Sequence, residues 1–341
     1  MDYRSLGRTG MKVSVLCLGC MNFGGKTNAE DSYAIIDRAL DAGINFLDTA
    51  NVYSRGRSEE VTGEALKRNG KRDQIVLATK VHGTMDDTDP NYQGNQRRHI
   101  IQQCEASLRR LQTDYIDLYQ IHRPQSDIPI DETLRALDDL IRAGKVRYIG
   151  TSTFAAWQVL ESLWVSKEYG LNRFVCEQPP YHILDRRIER ELLPMCRTYG
   201  IGTIPWSPIA GGLLSGKYTR DEQSPEGKRY SSGDLNAMQA RRKNDAIWDV
   251  IESLTAMADA KGITLAQLAL AWVAQQPGVT SPIIGPRTME HLEDNLGALD
   301  VTFTADELAT IDEIVPPGRM VSRSTKRLRP APVPVVRVDW E

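Results

Sequence analysis

Four side chains that could carry out a proton transfer lie at or just after the ends of segments that the sequence predicts to be buried strands. Asp48 lies at the end of one such segment, and Tyr53 follows it. Lys80 ends the next predicted strand, and His122 follows the one after it. Each residue alone would more often be structural than catalytic. Their placement at consecutive strand ends favours a joint chemical role, because the ends of neighbouring parallel strands meet at one edge of a sheet.

The chemistry that these four residue types could perform is the reduction of a carbonyl group. A tyrosine hydroxyl has an ordinary pKa of about 10, and a nearby ammonium lowers the pKa of a phenol. A carboxylate paired with the ammonium keeps it charged, and a neutral imidazole can bind the same substrate oxygen. The set would polarise a carbonyl and protonate its oxygen while a hydride reaches its carbon. Because no side chain supplies a hydride, a nicotinamide cofactor is implied.

Short apolar runs and amphipathic segments alternate along almost the whole chain. The spacing predicts strands at 13–18, 45–49, 75–80, 116–120, 146–150, 174–177, 202–205 and 281–284. It predicts helices at 30–42, 58–67, 97–111, 131–143, 155–169, 185–199, 245–260 and 289–299. About eight strand–helix units predict an α/β protein, a (β/α)8 TIM barrel, whose function lies at the carboxyl ends of the strands. An open doubly wound sheet has the same alternation and is the alternative.

Three further segments lie outside this repeat. Residues 3–13 are typical of a hairpin, with glycines 7 and 10 at its turn. Residues 206–243 form a long insertion after the seventh strand, and 305–314 form an added helix. No Pro- or Ser-rich linker divides the chain, so we expect one barrel domain over residues 1–315 and a Pro- and Arg-rich C-terminal tail over 316–341.

Composition excludes several classes of protein. Of the 341 residues, 42 are Lys or Arg and 45 are Asp or Glu, so the net charge of −3 gives no basic excess that would indicate a nucleic acid or an anionic membrane as partner. No apolar run approaches the roughly 18 residues of a membrane span, and the N-terminus lacks the apolar core of a signal peptide. The five cysteines are odd in number and scattered, which suits reduced thiols. We therefore expect a cytoplasmic protein and leave a homo-oligomer open.

Several long motifs in a fixed order resemble the aldo-keto reductase family over about residues 3–315. They are Gly43-Ile-Asn-Phe-Leu-Asp48-Thr-Ala-Asn-Val-Tyr53, Ala78-Thr-Lys80, Leu118-Tyr-Gln-Ile-His122-Arg, Gly144-Lys-Val-Arg-Tyr-Ile-Gly-Thr-Ser152, Ile204-Pro-Trp-Ser-Pro208, Gly211-Gly-Leu-Leu-Ser-Gly-Lys217-Tyr, and Ile284-Gly-Pro-Arg287 through Asn295. The motifs at 206–208 and 211–218 are similar to those of the bacterial and potassium-channel β-subunit branches. His122 stands where channel β subunits carry Asn, which favours a working reductase.

The resemblance implies a role for each matching residue. Tyr53 would be the general acid, Lys80 and Asp48 would tune it, and His122 would orient the carbonyl. The residues that would bind the cofactor are Ser152 and Gln178 at the nicotinamide carboxamide, Trp206 on the nicotinamide face, Ser207, Ile209, Gly211 and Lys217 at the pyrophosphate, and Gly285, Arg287, His291 and Asn295 at the adenosine end. Thr153 stands where many members carry Asn or Arg, and His291 and Asp294 replace the Gln and Glu common in this branch.

Other motifs in the chain do not support a different function. The segment 211–218 nearly matches a phosphate-binding P-loop, but Tyr218 replaces the hydroxyl residue that binds magnesium, and no obvious helix follows. No G-x-G-x-x-G follows the first strand, which argues against a Rossmann dehydrogenase. Cys17 and Cys20 form a CxxC without a second pair, and the histidines lack metal-ligand spacing, so we expect no metal.

The expected function is an NADPH-dependent reduction of an aldehyde or ketone to an alcohol. NADPH is expected because Arg287 precedes a predicted helix, and helix N-termini and Arg side chains both bind phosphate. A nucleotide-sensing regulatory subunit with little turnover is one alternative. A keto or enoyl reductase acting on a nucleotide sugar is another.

Overall fold

The computed structural model describes residues 1–220 and 244–321. In these residues two strands, β1 (Tyr3–Ser5) and β2 (Lys12–Ser14), form an antiparallel hairpin, and eight strands form one parallel sheet. The parallel strands are β3 (Cys17–Gly19), β4 (Phe46–Asp48), β5 (Val76–Val81), β6 (Ile116–Ile121), β7 (Val146–Ser152), β8 (Cys176–Gln178), β9 (Gly202–Thr203) and β10 (Ile283–Ile284). Their spatial order is β10-β3-β4-β5-β6-β7-β8-β9.

The sheet closes on itself. Each strand from β4 to β9 lies beside its predecessor in the chain, and β10 pairs with β3. The remaining seam is bridged by backbone hydrogen bonds from Thr280 to the carbonyl of Thr203 (2.7 Å) and from Ile283 to that of Pro205 (2.8 Å). This sequential order is that of a (β/α)8 TIM barrel and not of an open doubly wound sheet, which reverses its strand order near the middle. The predicted fold class is confirmed.

Helices surround the barrel in the described residues. They are α1 (Ala29–Asp41), α2 (Arg57–Asn69), α3 (Arg97–Leu111), α4 (Ile130–Arg142), α5 (Ala156–Tyr169), α6 (Leu192–Tyr199), α7 (Asp245–Lys261), α8 (Leu265–Gln275), α9 (Met289–Gly297) and α10 (Ala305–Ile314). The helices bury apolar residues that recur every three or four positions. On α3 these residues are Ile100, Cys104, Leu108 and Leu111. Helices α3 and α10 have the bounds that the sequence predicts.

The barrel strands are covered on both faces, which explains why apolar and polar residues do not alternate along them. All six residues of β5 are buried, since one face meets the helices and the other fills the barrel interior. The register of parallel pairing places Asp48 opposite Ala78, and Lys80 opposite Gln120. The carboxyl ends of β4, β5 and β6 therefore lie at one rim.

The hairpin covers the opposite, amino-terminal end of the barrel. Leu6 and Val13 are buried against interior residues of the strands, and the backbone N–H of Arg8 donates to the carbonyl of Gly200 (2.9 Å). Gly7 has a φ of +57°, and a Cβ there would lie 2.6 Å from the same carbonyl oxygen, so only glycine fits. The hairpin predicted at 3–13 is confirmed, and it leaves the carboxyl-terminal rim open.

Two predicted elements are wrong in their extent. The strand predicted at 13–18 is two strands, because Val13 pairs with Arg4 in the hairpin whereas Cys17 pairs with Ile283 in the barrel. The hydroxyl of Ser14 donates to the carbonyl of Leu16 (2.7 Å) at the bend between them.

The helix predicted at 185–199 covers only the second half of that range. Pro194 fits within the first turn of α6 but not farther inside a helix, because proline lacks an N–H and its ring clashes with the preceding turn. The preceding residues pair instead with the first residues of the tail, where the backbone N–H of Arg186 donates to the carbonyl of Arg319 (2.7 Å).

The cysteines are all buried and free. None of the described helices is both long enough and apolar enough to span a bilayer. Of the insertion predicted at 206–243, residues 221–243 lie outside the described residues. Of the tail predicted at 316–341, residues 322–341 do as well.

Candidate functional site

A buried ammonium lies at the centre of the carboxyl-terminal rim. Lys80, at the end of β5, is fully buried and forms an ion pair with Asp48 of β4. Its Nζ also donates to the carbonyl of Thr49 (2.8 Å) and to the hydroxyl oxygen of Tyr53 (3.3 Å). Burial by itself lowers the pKa of Lys80, but the charge of Asp48 and the contact with Tyr53 outweigh it and raise the pKa overall. The ammonium therefore stays charged and fixed beneath the tyrosine.

The carboxylate of Asp48 is held from its other side by two amides. Its Oδ2 accepts hydrogen bonds from Gln120 (2.9 Å) on β6 and from Gln178 (3.0 Å) on β8, and Gln178 also donates to the Oε1 of Gln120 (3.1 Å). Three barrel strands thus converge on one carboxylate. Gln120 is not among the residues predicted from the sequence, although it lies opposite Lys80 in the pairing of β5 with β6.

Tyr53 lies on a sharp turn that follows β4. Its backbone N–H donates to the carbonyl of Ala50 (3.2 Å), and it begins a short 3₁₀ turn in which Ser54 and Arg55 have positive φ angles of 49° and 53°. Because Lys80 is the donor in the bond between them, the hydroxyl hydrogen of Tyr53 is available to a group in the cavity above.

His122 faces Tyr53 across this cavity. The two rings meet edge to face, with centroids 5.7 Å apart and an angle of 85°. Burial, followed by the positive charges of Lys80 and Arg123, lowers the pKa of His122 to about 2. The imidazole is therefore neutral at physiological pH and can donate or accept a hydrogen bond without a net charge.

One cavity of about 490 Å³ runs along the rim and brings the predicted residues together. Its lining includes Asp48, Tyr53 and His122, and every residue predicted to bind a cofactor: Ser152, Gln178, Trp206, Ser207, Ile209, Gly211, Lys217, Gly285, Arg287, His291 and Asn295. Lys80 lies behind this wall, beneath Asp48 and Tyr53. The placement agrees with the predicted site, whose individual roles stay predictions.

At the end of the cavity that holds Tyr53 and His122, Ser152 and Gln178 are polar lining residues. The hydroxyl of Ser152 donates to the backbone carbonyl of Gln178 (2.9 Å), and the amide N–H groups of Gln178 donate to Asp48 and Gln120. Both donors of Gln178 are thus used, which leaves its Oε1 to accept a hydrogen bond.

A buried carboxyl group lies beneath the backbone that carries Ser152. Glu177 accepts a hydrogen bond from the N–H of Phe154 (3.1 Å) and another from the hydroxyl of Thr151. Between them Thr153 adopts a φ of +65°, a left-handed conformation that is rare for a β-branched residue. Burial raises the pKa of Glu177 to about 8, so it carries a proton at neutral pH.

Trp206 and the loop after it form one wall of the cavity. The backbone N–H of Trp206 donates to the carbonyl of Pro179 (2.9 Å), while its indole Nε1 is buried and has no partner in the described residues. Ser207, Ala210 and Gly211 have positive φ angles of 56°, 53° and 66°. The chain therefore turns tightly here, as it does in loops that bind phosphates through their backbone.

The far end of the cavity is cationic. Thr288 caps α9, with its hydroxyl accepting from the N–H of His291 (3.3 Å), so the N-terminus of that helix lies at this end. The side chain of His291 contacts Lys217, and burial, Lys217 and Arg287 together lower its pKa. In the described part of the chain Arg287 forms no ion pair, and Asp294 instead accepts from the hydroxyl of Thr264 (2.9 Å).

Several lining residues were not singled out in the sequence. Gly19, Met21, Asn22 and Lys26 follow the first barrel strand, and Arg123 follows His122. All of them lie at or after the carboxyl end of a strand, which is the sequence signal that the other predicted site residues share.

The fold and the site define a (β/α)8 barrel protein with a long cavity, lined by polar and apolar side chains, at the carboxyl ends of its strands. The model of the aldo/keto reductase family matches residues 15–316. The chain belongs to this family, which confirms the resemblance.

Curated relatives cover nearly the whole chain. An uncharacterized oxidoreductase, YrpG, of Bacillus subtilis is 39% identical over 330 residues, 93% of this chain and 97% of its own. A probable voltage-gated potassium channel subunit beta of Arabidopsis thaliana is 37% identical over 320 residues, 92% and 97% of the two chains. A versiconal hemiacetal acetate reductase of Aspergillus parasiticus is 34% identical over 336 residues, 92% and 96% of the two chains.

Proposed function

We propose that the protein reduces an aldehyde or ketone to an alcohol with NADPH as the hydride donor. The observation that carries this proposal is the geometry around Tyr53. Tyr53 lines the cavity, the buried ammonium of Lys80 lies behind it, and a neutral His122 lies beside it. This arrangement suits the protonation of a carbonyl oxygen.

The residues along the cavity fit a nicotinamide dinucleotide. The free Oε1 of Gln178 and the lone pairs of Ser152 match the N–H₂ of a carboxamide, and the flat indole of Trp206 suits stacking on a nicotinamide ring. Tight turns and the cations at the far end suit the phosphates. When bound, the cofactor would supply the hydride.

The protein's own residues would supply the proton and the charge stabilisation. Tyr53 would donate its hydroxyl proton to the carbonyl oxygen as negative charge develops there. The ammonium of Lys80, 3.3 Å from the phenolic oxygen, would stabilise the phenolate that remains. His122 would donate a ring N–H to the same oxygen and so orient the carbonyl. Asp48 would hold the ammonium in place through the buried ion pair.

We propose NADPH over NADH because of the charges at the far end of the cavity. Arg287 lies beside the N-terminus of α9, and in the described residues no carboxylate neutralises it. A planar guanidinium at a helix N-terminus matches a phosphate monoester better than a ribose hydroxyl.

A regulatory subunit that binds the nucleotide with little turnover is the second candidate. It is favoured by the similarity to the plant channel β subunit. Both candidates bind the same cofactor, so binding alone does not distinguish them. The presence of His122, in place of the Asn that channel β subunits carry, supports turnover.

The test is the oxidation of NADPH in the presence of a panel of aldehydes and ketones. We expect the protein to reduce several of them, and Tyr53→Phe to lower kcat by ~100-fold or more while the Kd for NADPH stays unchanged, since a general acid contributes about that much. Tyr199→Phe is the matched control, because Tyr199 is exposed at the end of α6. Tight NADPH binding without turnover of any carbonyl would favour the regulatory subunit instead.

A further inference from the structure

An arginine lies in the wall of the cavity beside the catalytic residues. Arg123 directly follows His122 and is exposed to the cavity. Its Nη1 donates to the backbone carbonyl of His122 (3.0 Å) and to the hydroxyl of Thr153 (2.7 Å). The centre of its guanidinium lies 5.9 Å from the centroid of the Trp206 ring. The positive charge is therefore held next to the place where a carbonyl substrate would meet Tyr53 and His122.

The structure leaves this charge uncompensated. Both hydrogen-bond acceptors of Arg123 are neutral oxygens, and within residues 1–220 and 244–321 no carboxylate oxygen lies within 4.0 Å of its guanidinium nitrogens. Lys80, which lies behind the same part of the cavity, is paired with Asp48. Glu177 is buried, and burial raises its pKa to about 8. Among the described residues, the positive charge of Arg123 therefore has no paired carboxylate.

One edge of the Arg123 guanidinium is also available to bind a ligand. Its two hydrogen bonds both come from Nη1, so Nε and Nη2 have no hydrogen-bond partner among the described residues. These two nitrogens point their N–H groups in parallel and form the side-on fork that binds the two oxygens of a carboxylate. A lysine at this place would supply a charge but no fork.

We propose that Arg123 is a specificity-determining residue that binds a carboxylate carried by the carbonyl substrate. The substrates would be oxo acids, in which the carboxylate lies a few atoms from the aldehyde or ketone. This inference rests on the proposed carbonyl reduction, because it uses the same cavity and the same reacting group. The carboxylate would anchor one end of the substrate while Tyr53 and His122 bind the carbonyl oxygen.

The experiment compares a series of ω-oxo acids, from glyoxylate to 5-oxopentanoate, with their methyl esters as substrates for NADPH-dependent reduction. We expect kcat/KM to be at least ~10-fold higher for the best acid than for its ester, because a hydrogen bond to a charged group contributes about that much. Arg123→Gln should lower kcat/KM for that acid by ~10–100-fold and for its ester by less than ~5-fold, since glutamine keeps a donor for Thr153. Arg135→Gln, an exposed arginine on α4, is the control.

Two results would overturn the proposal. One is a wild-type protein that reduces the esters as well as the acids. The other is an equal loss for acid and ester in Arg123→Gln, which would make Arg123 a support for Thr153 and the backbone of His122.

A binding measurement distinguishes failure of this proposal from failure of the proposed carbonyl reduction. If no carbonyl is reduced, calorimetric titration of the NADP⁺-bound protein with succinate and glutarate tests the anion site alone. The site would be supported if one of these acids binds and Arg123→Gln raises its Kd by ~10-fold or more. A hydrogen bond to a charged group contributes about that factor to an affinity. No binding of either acid to the wild type would overturn it.

Discussion

Replacing Asp48 with asparagine should destabilise the protein and abolish turnover, because it leaves the ammonium of Lys80 buried without a counter-charge. Lys80 is fully buried and Asp48 is 3% exposed, so water cannot take over the solvation of either group. Asparagine has nearly the same shape as aspartate, so the substitution changes charge and hydrogen bonding with little change in packing.

The magnitude follows from the contacts of the carboxylate. Asp48 accepts hydrogen bonds from Lys80, Gln120 and Gln178, all of which are donors. Asparagine offers one oxygen and places an N–H₂ group against at least one of these donors. Loss of one partner of a buried ion pair costs about 3–5 kcal/mol in the free energy of unfolding. Burial, no longer opposed by Asp48, should also lower the pKa of Lys80 and favour its neutral form.

The assay is equilibrium unfolding in guanidinium chloride followed by tryptophan fluorescence, together with NADPH-dependent turnover. The double variant Asp48→Asn/Lys80→Met removes the unpaired charge and should regain about 2 kcal/mol or more of the loss, because no charge is then buried alone. Turnover should stay abolished in both variants, which separates the structural effect from the catalytic one. A free energy of unfolding for Asp48→Asn within ~0.5 kcal/mol of the wild type would refute the reasoning, since such a difference is typical of a surface substitution.

Three further predictions concern the cofactor cavity and the buried carboxyl group. Arg287→Ala should weaken NADPH binding by about 1.5–3 kcal/mol and leave NADH binding almost unchanged in a fluorescence titration, as for a charge-assisted bond; equal losses would make it a general contact. Cofactor binding should quench tryptophan fluorescence, and Trp206→Ala should remove most of the quenching; unaltered quenching would assign the signal to another tryptophan. Burial raises the pKa of Glu177 from 4.5 to about 8, so the folded protein holds this proton more tightly than the unfolded chain, and the free energy of unfolding falls as the pH rises through that range. Glu177→Gln should reduce this fall by roughly 3–5 kcal/mol in unfolding curves at about pH 5 and pH 8.5, and the same pH dependence in both proteins would contradict the assignment.

The sequence by itself determined the order of the elements and the residues at each strand end. Helix α3 has its predicted bounds because apolar residues at spacings of three and four and a local N-cap, here Gln96, are properties of a short segment. The joint placement of Asp48, Tyr53, Lys80 and His122 was predictable for a similar reason. Parallel strands in sequential order bring their carboxyl ends to one rim, whatever the details of packing.

Only the tertiary structure decided which partner each strand and side chain takes. Residues 13–18 look like one strand locally, but Val13 and Cys17 have different partners, and pairing is a long-range choice. Likewise, the bonds of Asp48 to Gln120 and Gln178 join residues 72 and 130 positions apart. No local pattern encodes such a contact.

The electrostatic environment of each charged group was also beyond the sequence. Arg123 and Lys80 are both cations beside the same cavity, yet Lys80 is neutralised by a buried carboxylate and Arg123 is not. Glu177 and Asp48 are both buried acids, yet Glu177 keeps its proton and Asp48 pairs with an ammonium. The free energy of a charge depends on its distance from other charges and from water in three dimensions, and the folded barrel alone sets those distances.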